Sequence, residues 1–259
     1  MSKDFYLEFA RNLWQAYKDR KSMEPLTNKR DDLTIDDAYQ IQLLTVEMAK
    51  KDGRKVVGKK IGLTSKAMQE QFGIDTPDYG HVYDNMMYDQ HEKQDINVFY
   101  KPKIETEIAF ILKEDIQGPG VTLSDVIMAT EGVMPCFEII DSRITNWNIE
   151  IVDSISDNAS AAGVILGDRM YSLSEVSINN MGMVLYKNGE RIYTASSAAV
   201  MGNPAMAVVW LANKLGEYGV GLKKGEIILS GSLAPAYDFK ENDYFIAEFD
   251  GIGKVQAKY

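Results

Sequence analysis

Two glutamates lie two positions apart in an apolar segment of the chain, "KPKIETEIAF" at residues 101–110. Because the side chains of a strand alternate between its two faces, Glu105 and Glu107 would share one face, opposite Ile108 and Phe110. Glu138 has a similar apolar setting in "VMPCFEIIDSR". Three carboxylates suit a hard cation such as Mg²⁺ or Mn²⁺, which prefers oxygen ligands. The alternative is the ordinary one for such acids, the solvated outer face of a strand.

Adjacent lysines in "GKKIGLTSKAMQ" are the second candidates for chemistry. In a strand, Lys59 and Lys60 would point to opposite faces, so only one of them can face the acids. The alternative is that both lie on the surface, as most lysines do. Asp157, Asn158 and Ser160 of "DNAS" are equally compatible with an ordinary turn.

The chain has two histidines, His81 and His91, both in the loop-like segment "GHVYDNMMYDQH". Surface positions are the simpler interpretation. A histidine beside the acids would instead favour a hydrolase that cleaves carbon–carbon bonds, because such an enzyme needs a base to activate water.

Length and composition exclude several classes of protein. The 259 residues, of which 45% are hydrophobic, are enough for the core of a globular domain. A single cysteine, Cys136, allows neither an intrachain disulfide nor a cysteine-based zinc cluster. The net charge of −10 argues against nucleic acid or an anionic membrane as partner, although a small anionic substrate stays compatible. With no signal peptide pattern and no apolar run of the ~18 residues that span a bilayer, we expect a cytoplasmic protein.

Helices are predicted at the beginning of the chain and strands after it. Apolar spacing predicts a helix over residues 5–17, and Thr34 with Asp37 three positions later predicts the start of a second helix that ends at Gly53. A third helix is predicted over residues 205–218. Short apolar runs between turn residues predict strands at 56–63, 104–112, 137–140, 164–166, 181–187, 226–230 and 244–249. We therefore expect one α+β domain over residues 1–259, with a helical portion at 1–55 and a β-rich metal-binding core at 56–259.

The order and spacing of several segments resemble the 2-keto-4-pentenoate hydratase (2-oxopent-4-enoate hydratase) family, over nearly the whole chain. These segments are "VVGKKIGLTSKAMQ", "TPDYG", "IETEIAFIL", "GPGVTLSDV", "PCFEIIDSRITNW", "SDNASAAGVILGD" and "GEIILSGSL". The family belongs to the fumarylacetoacetate hydrolase-like superfamily. The resemblance implies a mixed β-roll or sandwich core with flanking helices, and a divalent metal held by Glu105, Glu107 and Glu138.

The resemblance also implies roles for five further residues. Lys60 of "KIGLTS", Asp78 of "TPDYG" and Ser160 of "DNAS" match positions in the catalytic site of the family. Leu63 and Thr64 match the segment that shapes the substrate pocket beside the lysine.

The activity that the resemblance implies is the metal-dependent addition of water to 2-hydroxypenta-2,4-dienoate, which gives 4-hydroxy-2-oxopentanoate in meta-cleavage catabolism of aromatic compounds. Three alternatives stay open: a 4-oxalocrotonate decarboxylase, a fumarylacetoacetate-type hydrolase, and an inactive structural partner of a decarboxylase. The resemblance further implies a homo-oligomer, with pentamers as one arrangement, and association with a 4-oxalocrotonate decarboxylase.

Overall fold

A computed structural model describes residues 3–74 and 76–259 of the chain. Two long helices come first, α1 over Lys3–Asp19 and α2 over Ile35–Lys51. The predicted capping box is present, because the Thr34 side chain accepts from the backbone N–H of Asp37 and the Asp37 carboxylate accepts from that of Thr34. Past the last turn, Gly53 adopts a φ of +87°, which glycine tolerates without strain. Both predicted helices are confirmed.

Four shorter helices follow: α3 Lys66–Phe72, α4 Leu123–Ala129, α5 Ile151–Ser156 and α6 Pro204–Gly216. The prediction for residues 205–218 corresponds to α6, which Asn203 caps. The helices α3, α4 and α5 were not predicted. Each has at most seven residues, about two turns, and so is too short for an apolar period to be recognised.

Twelve strands form two sheets in the described part of the chain. They are β1 Val56–Gly62, β2 Asp78–Tyr83, β3 Met87–Tyr88, β4 Lys103–Leu112, β5 Thr130–Ile140, β6 Ala161–Leu166, β7 Gly182–Lys187, β8 Glu190–Ser196, β9 Ile227–Leu229, β10 Tyr237–Asp238, β11 Tyr244–Phe249 and β12 Gly253–Lys258. All seven predicted strands are present, although β5 begins seven residues before its predicted start. The strands β2, β3, β8, β10 and β12 were not predicted.

The larger sheet is mixed and contains the candidate site. Its strand order is β2-β1-β9-β4-β5-β6-β3, with β10 paired to β4. The pairs β1/β9 and β3/β6 are parallel, and the other neighbours are antiparallel. A second, antiparallel sheet has the order β12-β11-β7-β8. The predicted α+β class is confirmed.

One apolar core connects the helices to both sheets. A single cluster of buried residues includes Leu13 of α1, Ile41 of α2, Phe137 of β5, Leu211 of α6 and Phe245 of β11. This shared core supports our proposal that residues 1–259 form one domain. None of the helices in the described ranges has both the length and the apolar character needed to cross a bilayer.

Candidate active site

Three glutamates meet on one face of the larger sheet because of the register between β4 and β5. Glu105 lies directly opposite Glu138 across this antiparallel pair, and Glu107 is two residues further along β4, on the same face. One carboxylate oxygen from each of the three lies within 4.8 Å of the others. The predicted cluster is therefore present as a single group of carboxylates.

These acids are buried. The exposed fraction is 4% for Glu105, 0% for Glu107 and 1% for Glu138, so the solvated-face interpretation is wrong. β4 is an interior strand of the sheet, since its two edges pair with β9 and β5, and its face opposite the acids packs on the main core.

Burial and mutual repulsion change the protonation of the acids. Burial, followed by the neighbouring charge of Glu138, raises the pKa of Glu105 to about 8. Burial and then Glu105 likewise raise the pKa of Glu107 to about 8. The pKa of Glu138 is raised well above its usual range by burial first, an effect that Lys60 partly offsets. In the absence of a cation, the cluster therefore holds protons at neutral pH.

The cluster fits a hard divalent metal ion. Glu107 Oε2 accepts a hydrogen bond of 2.6 Å from the backbone N–H of Gly231. Glu107 Oε1 and both carboxylate oxygens of Glu138 have no hydrogen-bond partner among the residues that the structure describes. Buried carboxylate oxygens without partners are costly unless a cation binds them, and an all-oxygen set suits Mg²⁺ or Mn²⁺.

Lys60 faces the acids, and Lys59 faces away from them. Nζ of Lys60 lies 3.4 Å from Glu138 Oε1. Burial alone would lower the pKa of Lys60, but the surrounding acids, Glu138 first, outweigh it and raise that pKa. Nζ of Lys59 instead donates to both carboxylate oxygens of Glu226, at 2.6 and 2.7 Å. Both lysines are buried, so the surface interpretation is wrong, whereas the predicted alternation of faces is correct.

Asp78 is brought beside Lys60 by the pairing of β1 with β2. It lies opposite Gly62, on the same face as Lys60. Its Oδ2 accepts a hydrogen bond of 2.8 Å from the hydroxyl of Ser154 in α5. Its Oδ1 accepts no hydrogen bond from any described residue. Ser154 was not predicted as a site residue, since a single serine in a six-residue helix carries no sequence signal.

Ser160 is held in a strained turn that follows α5. Three consecutive residues other than glycine, Asn158, Ala159 and Ser160, have φ values of +54°, +48° and +56°. The guanidinium of Arg143 braces this turn, because Nε donates to Asp157 Oδ1 at 2.6 Å and other N–H groups donate to the backbone oxygens of Asp157 and Ala161. Ser160 Oγ is buried with no hydrogen-bond partner within the described ranges.

One narrow cavity, which we call the site cavity, is lined by Lys60, Asp78 and Ser160. Its polar lining residues are Lys60, Asp78, Glu105, Ser154 and Ser160, and its apolar lining residues are Leu63, Met68, Ile74, Ile140, Trp147, Ile149 and Ala159. Lys60 is the one cation among the described residues that line it. A larger cleft of about 440 Å³ lies elsewhere, beside Tyr17 and Arg54, and none of the predicted site residues lines it.

The two predicted substrate-binding residues differ in position. Leu63, with a φ of +58°, lines the site cavity. Thr64 is buried but does not line it. It packs against Gly231 so closely that a Cβ on that glycine would lie 1.8 Å from Thr64 Oγ1. Thr64 therefore supports the glycine whose N–H binds Glu107, and its role in substrate binding stays a prediction.

Neither histidine lies at the site cavity. His81 pairs with Lys59 across β1 and β2, so it points to the opposite face from Lys60. Burial and then Lys59 lower its pKa to about 3. His91 is exposed, and its Nε2 lies 2.7 Å from Asp168 Oδ1. The surface interpretation is thus wrong for His81 and correct for His91, and neither histidine lies beside the acids.

Comparisons with known proteins agree with this fold. The family model "Fumarylacetoacetate (FAA) hydrolase C-terminal" matches residues 87–258. The 2-hydroxyhexa-2,4-dienoate hydratase of Comamonas testosteroni is 39% identical over 259 residues, which are 99% of this chain and 98% of that protein. The 2-hydroxypent-2,4-dienoate hydratase of Pseudomonas putida is 44% identical over 221 residues, 85% of this chain and 100% of that protein.

A solved structure is similar over the whole chain. The 4-oxalocrotonate decarboxylase from Pseudomonas putida G7, complexed with magnesium and adipate, has a TM-score of 0.95 and 35% identity, and the match covers 100% of this chain and 98% of that one. The fold is that of the fumarylacetoacetate hydrolase-like superfamily. Within this superfamily, the chain belongs to the 2-keto-4-pentenoate hydratase family. The resemblance seen in the sequence motifs is confirmed.

Proposed function

We propose that this chain is a hydro-lyase that adds water to 2-hydroxypenta-2,4-dienoate and forms 4-hydroxy-2-oxopentanoate. The observation that carries the proposal is the composition of the site cavity. The cavity contains the ammonium of Lys60 and lies beside the buried carboxylate cluster. Two polar atoms at it, Asp78 Oδ1 and Ser160 Oγ, have no hydrogen-bond partner among the described residues, and most of the other lining residues are apolar. The names of the similar hydratases support the same reaction class.

Glu105, Glu107 and Glu138 would hold the metal ion, for which we propose Mg²⁺ or Mn²⁺. When bound, the ion would supply Lewis-acid stabilisation of negative charge on the C2 oxygen of the substrate. The backbone N–H of Gly231 fixes one oxygen of Glu107, which leaves the other oxygen of that carboxylate free for the ion. The magnesium in the similar decarboxylase supports a divalent cation here.

Lys60 would act as a fixed positive charge for the anionic substrate. Two roles are open to a lysine at such a site, electrostatic stabilisation and proton transfer. The acids around Lys60 raise its pKa, so the ammonium keeps its proton at neutral pH. This favours the electrostatic role, in which the ammonium attracts the substrate carboxylate and stabilises charge on the enolate oxygen.

Asp78 and Ser160 would direct water and protons. The reaction moves the proton of the enol hydroxyl to solvent and adds one proton at C5. It then adds the hydroxyl group of a water molecule at C4 and one proton at C3, so its net result is the addition of one water molecule. We propose that Asp78 Oδ1 accepts a hydrogen bond from the attacking water and that Ser160 Oγ holds that water or the substrate, which their lack of other partners supports.

The test uses freshly generated 2-hydroxypenta-2,4-dienoate with and without Mg²⁺ or Mn²⁺, in water labelled with ¹⁸O. We expect metal-dependent loss of the dienol absorbance and one ¹⁸O atom at C4 of the product. The second candidate is decarboxylation of 4-oxalocrotonate, which the similarity to the decarboxylase favours. Rapid release of CO₂ from that diacid, with no label at C4 from the monoacid, would establish the second candidate instead.

Three statements about the cellular context belong to the proposal and derive from the family resemblance. We propose a cytoplasmic location, a homo-oligomer for which pentamers are one arrangement, and association with a 4-oxalocrotonate decarboxylase. Size measurement in solution, alone and with such a decarboxylase, tests the second and third statements.

A further inference from the structure

The Asp78 carboxylate is held from one side only. Its Oδ2 accepts the hydroxyl of Ser154 at 2.8 Å, while its Oδ1 is buried with no hydrogen-bond partner among the described residues. A Cβ on Gly62 would lie 2.2 Å from Oδ1 and 3.3 Å from Nζ of Lys60. The free oxygen therefore lies over the backbone of Gly62, close to the ammonium of Lys60.

A side chain of α2 connects β2 and α5 next to the hydrogen bond between Ser154 and Asp78. The side-chain amide of Gln42, fully buried in α2, donates from Nε2 to the backbone oxygens of Tyr79 and Ile155, each at 2.8 Å. These two residues directly follow Asp78 and Ser154. One amide thus fixes the separation of β2 and α5 at the point where the hydroxyl meets the carboxylate.

Helix α5 has a second anchor at the residue before Ser154. Asp153 Oδ1 accepts the backbone N–H groups of Leu26 and Thr27, at 2.6 and 3.2 Å, and Oδ2 accepts the Thr27 hydroxyl at 2.8 Å. Because this short helix is held on both sides of Ser154, the serine hydroxyl has a defined position from which to donate.

We propose that Ser154 is a positioning residue for the reaction: its hydroxyl fixes the Asp78 carboxylate so that Oδ1 is the oxygen presented to the water or substrate. This inference rests on the proposed hydratase function. Ser154 acts through Asp78, and the metal ligands do not depend on it.

The first test compares Ser154→Ala with the matched control Ser156→Ala. Ser156 is a buried serine of the same helix, but it does not line the site cavity. We expect Ser154→Ala to lower kcat about tenfold, with KM within about twofold of the wild-type value and unchanged Mn²⁺ affinity, because the substrate still binds while Asp78 is misoriented. The control should keep wild-type kinetics. Equal losses in the two variants would contradict the inference.

The decisive test is a double-mutant cycle with Asp78→Asn. If Ser154 acts through Asp78, removing its hydroxyl has no further effect once the carboxylate is gone, so the double variant should be as slow as Asp78→Asn alone. A further tenfold loss in the double variant would show an independent role for Ser154 and overturn the inference.

A readout that does not depend on turnover completes the design. A crystal structure of Ser154→Ala should show the Asp78 carboxylate rotated or in more than one orientation, and an unmoved carboxylate would contradict the inference. Absence of dienoate hydration by the wild-type chain would instead contradict the proposed function, so the two failures are distinguishable.

Discussion

Glu105 of β4 and Glu138 of β5 face each other directly across an antiparallel pair in the interior of the larger sheet. Two ionised carboxylates in these positions repel each other, and burial strengthens the repulsion because little water screens it. The pair is therefore costly to the fold unless protons or a cation neutralise it. A divalent cation bound by the two carboxylates would remove this cost, as protons do when no cation is present.

Replacing a ligand should weaken metal binding and leave the fold intact. We expect Glu105→Gln and Glu138→Gln each to reduce Mn²⁺ affinity at least tenfold, because each removes one charged oxygen, and isothermal calorimetry measures this directly. Glu226→Gln is the matched control, a largely buried glutamate that binds Lys59 away from the cluster. It should lower the unfolding temperature but keep Mn²⁺ affinity. Unchanged affinity in both ligand variants would refute the metal assignment.

The stability of the metal-free chain should fall as pH rises from 6.5 to 8. Glu105 and Glu107 have a pKa of about 8 in the folded chain against an ordinary value of 4.5, so unfolding releases protons in this window and the free energy of unfolding decreases. His81, whose pKa is lowered to about 3, has the opposite effect only below its ordinary value of 6.5. The unfolding temperature should therefore decrease by roughly 5 °C between pH 6.5 and pH 8.

Two comparisons check the cause of this pH dependence. Saturating Mn²⁺ should remove the decrease, since the metal replaces the protons, and the stabilisation by Mn²⁺ should grow with pH. The variant Glu107→Gln without metal should show a smaller decrease than the wild-type chain. An equal decrease in that variant would assign the effect to other groups.

The sequence was sufficient to place Glu105 and Glu107 on one face, because side chains alternate along β4, whereas the family resemblance was needed to add Glu138 to them. It was not sufficient to predict their burial. The backbone of Gly231, which donates to Glu107, lies 124 positions later in the chain, and no local pattern indicates that contact. The same limit left a surface position open for Lys59 and made it the simpler interpretation for His81, whereas both are buried.

Distant contacts also decide the surroundings of two further residues, and the sequence does not show those contacts. Ser154 becomes significant only because α5 meets the beginning of β2, 76 positions earlier in the chain. Thr64 is adjacent in sequence to a residue of the site cavity, yet its side chain packs on Gly231. The direction of a side chain is set by tertiary packing, which a motif alone does not specify.

Lys60 should be needed for turnover and not for metal binding. Because its ammonium acts on the substrate, we expect Lys60→Ala to retain Mn²⁺ binding and to lose ~10²- to 10⁴-fold in kcat. The adjacent lysine offers a control: Lys59→Met removes a buried cation from the opposite face, so it should destabilise the fold through the unpaired Glu226 but keep most of the turnover. Near-normal turnover by Lys60→Ala would contradict its catalytic role.

The apolar lining of the site cavity should set the preference for a monoacid over a diacid. The described lining includes Lys60 as its one cation, so the second carboxylate of a diacid would be desolvated without a positive partner there. Ile149 lines the cavity and is half-buried, which lets a longer side chain be accommodated. We expect Ile149→Lys to raise kcat/KM for a dicarboxylic 2-hydroxydienoate about tenfold relative to the monoacid, since a charge-assisted hydrogen bond contributes about 1.5–3 kcal/mol.

The control is Ile149→Leu, which keeps the apolar lining and should leave the ratio of the two kcat/KM values unchanged. If the lysine variant shows the wild-type ratio, the apolar lining does not determine this choice, and selection must occur at the end of the substrate bound near Lys60.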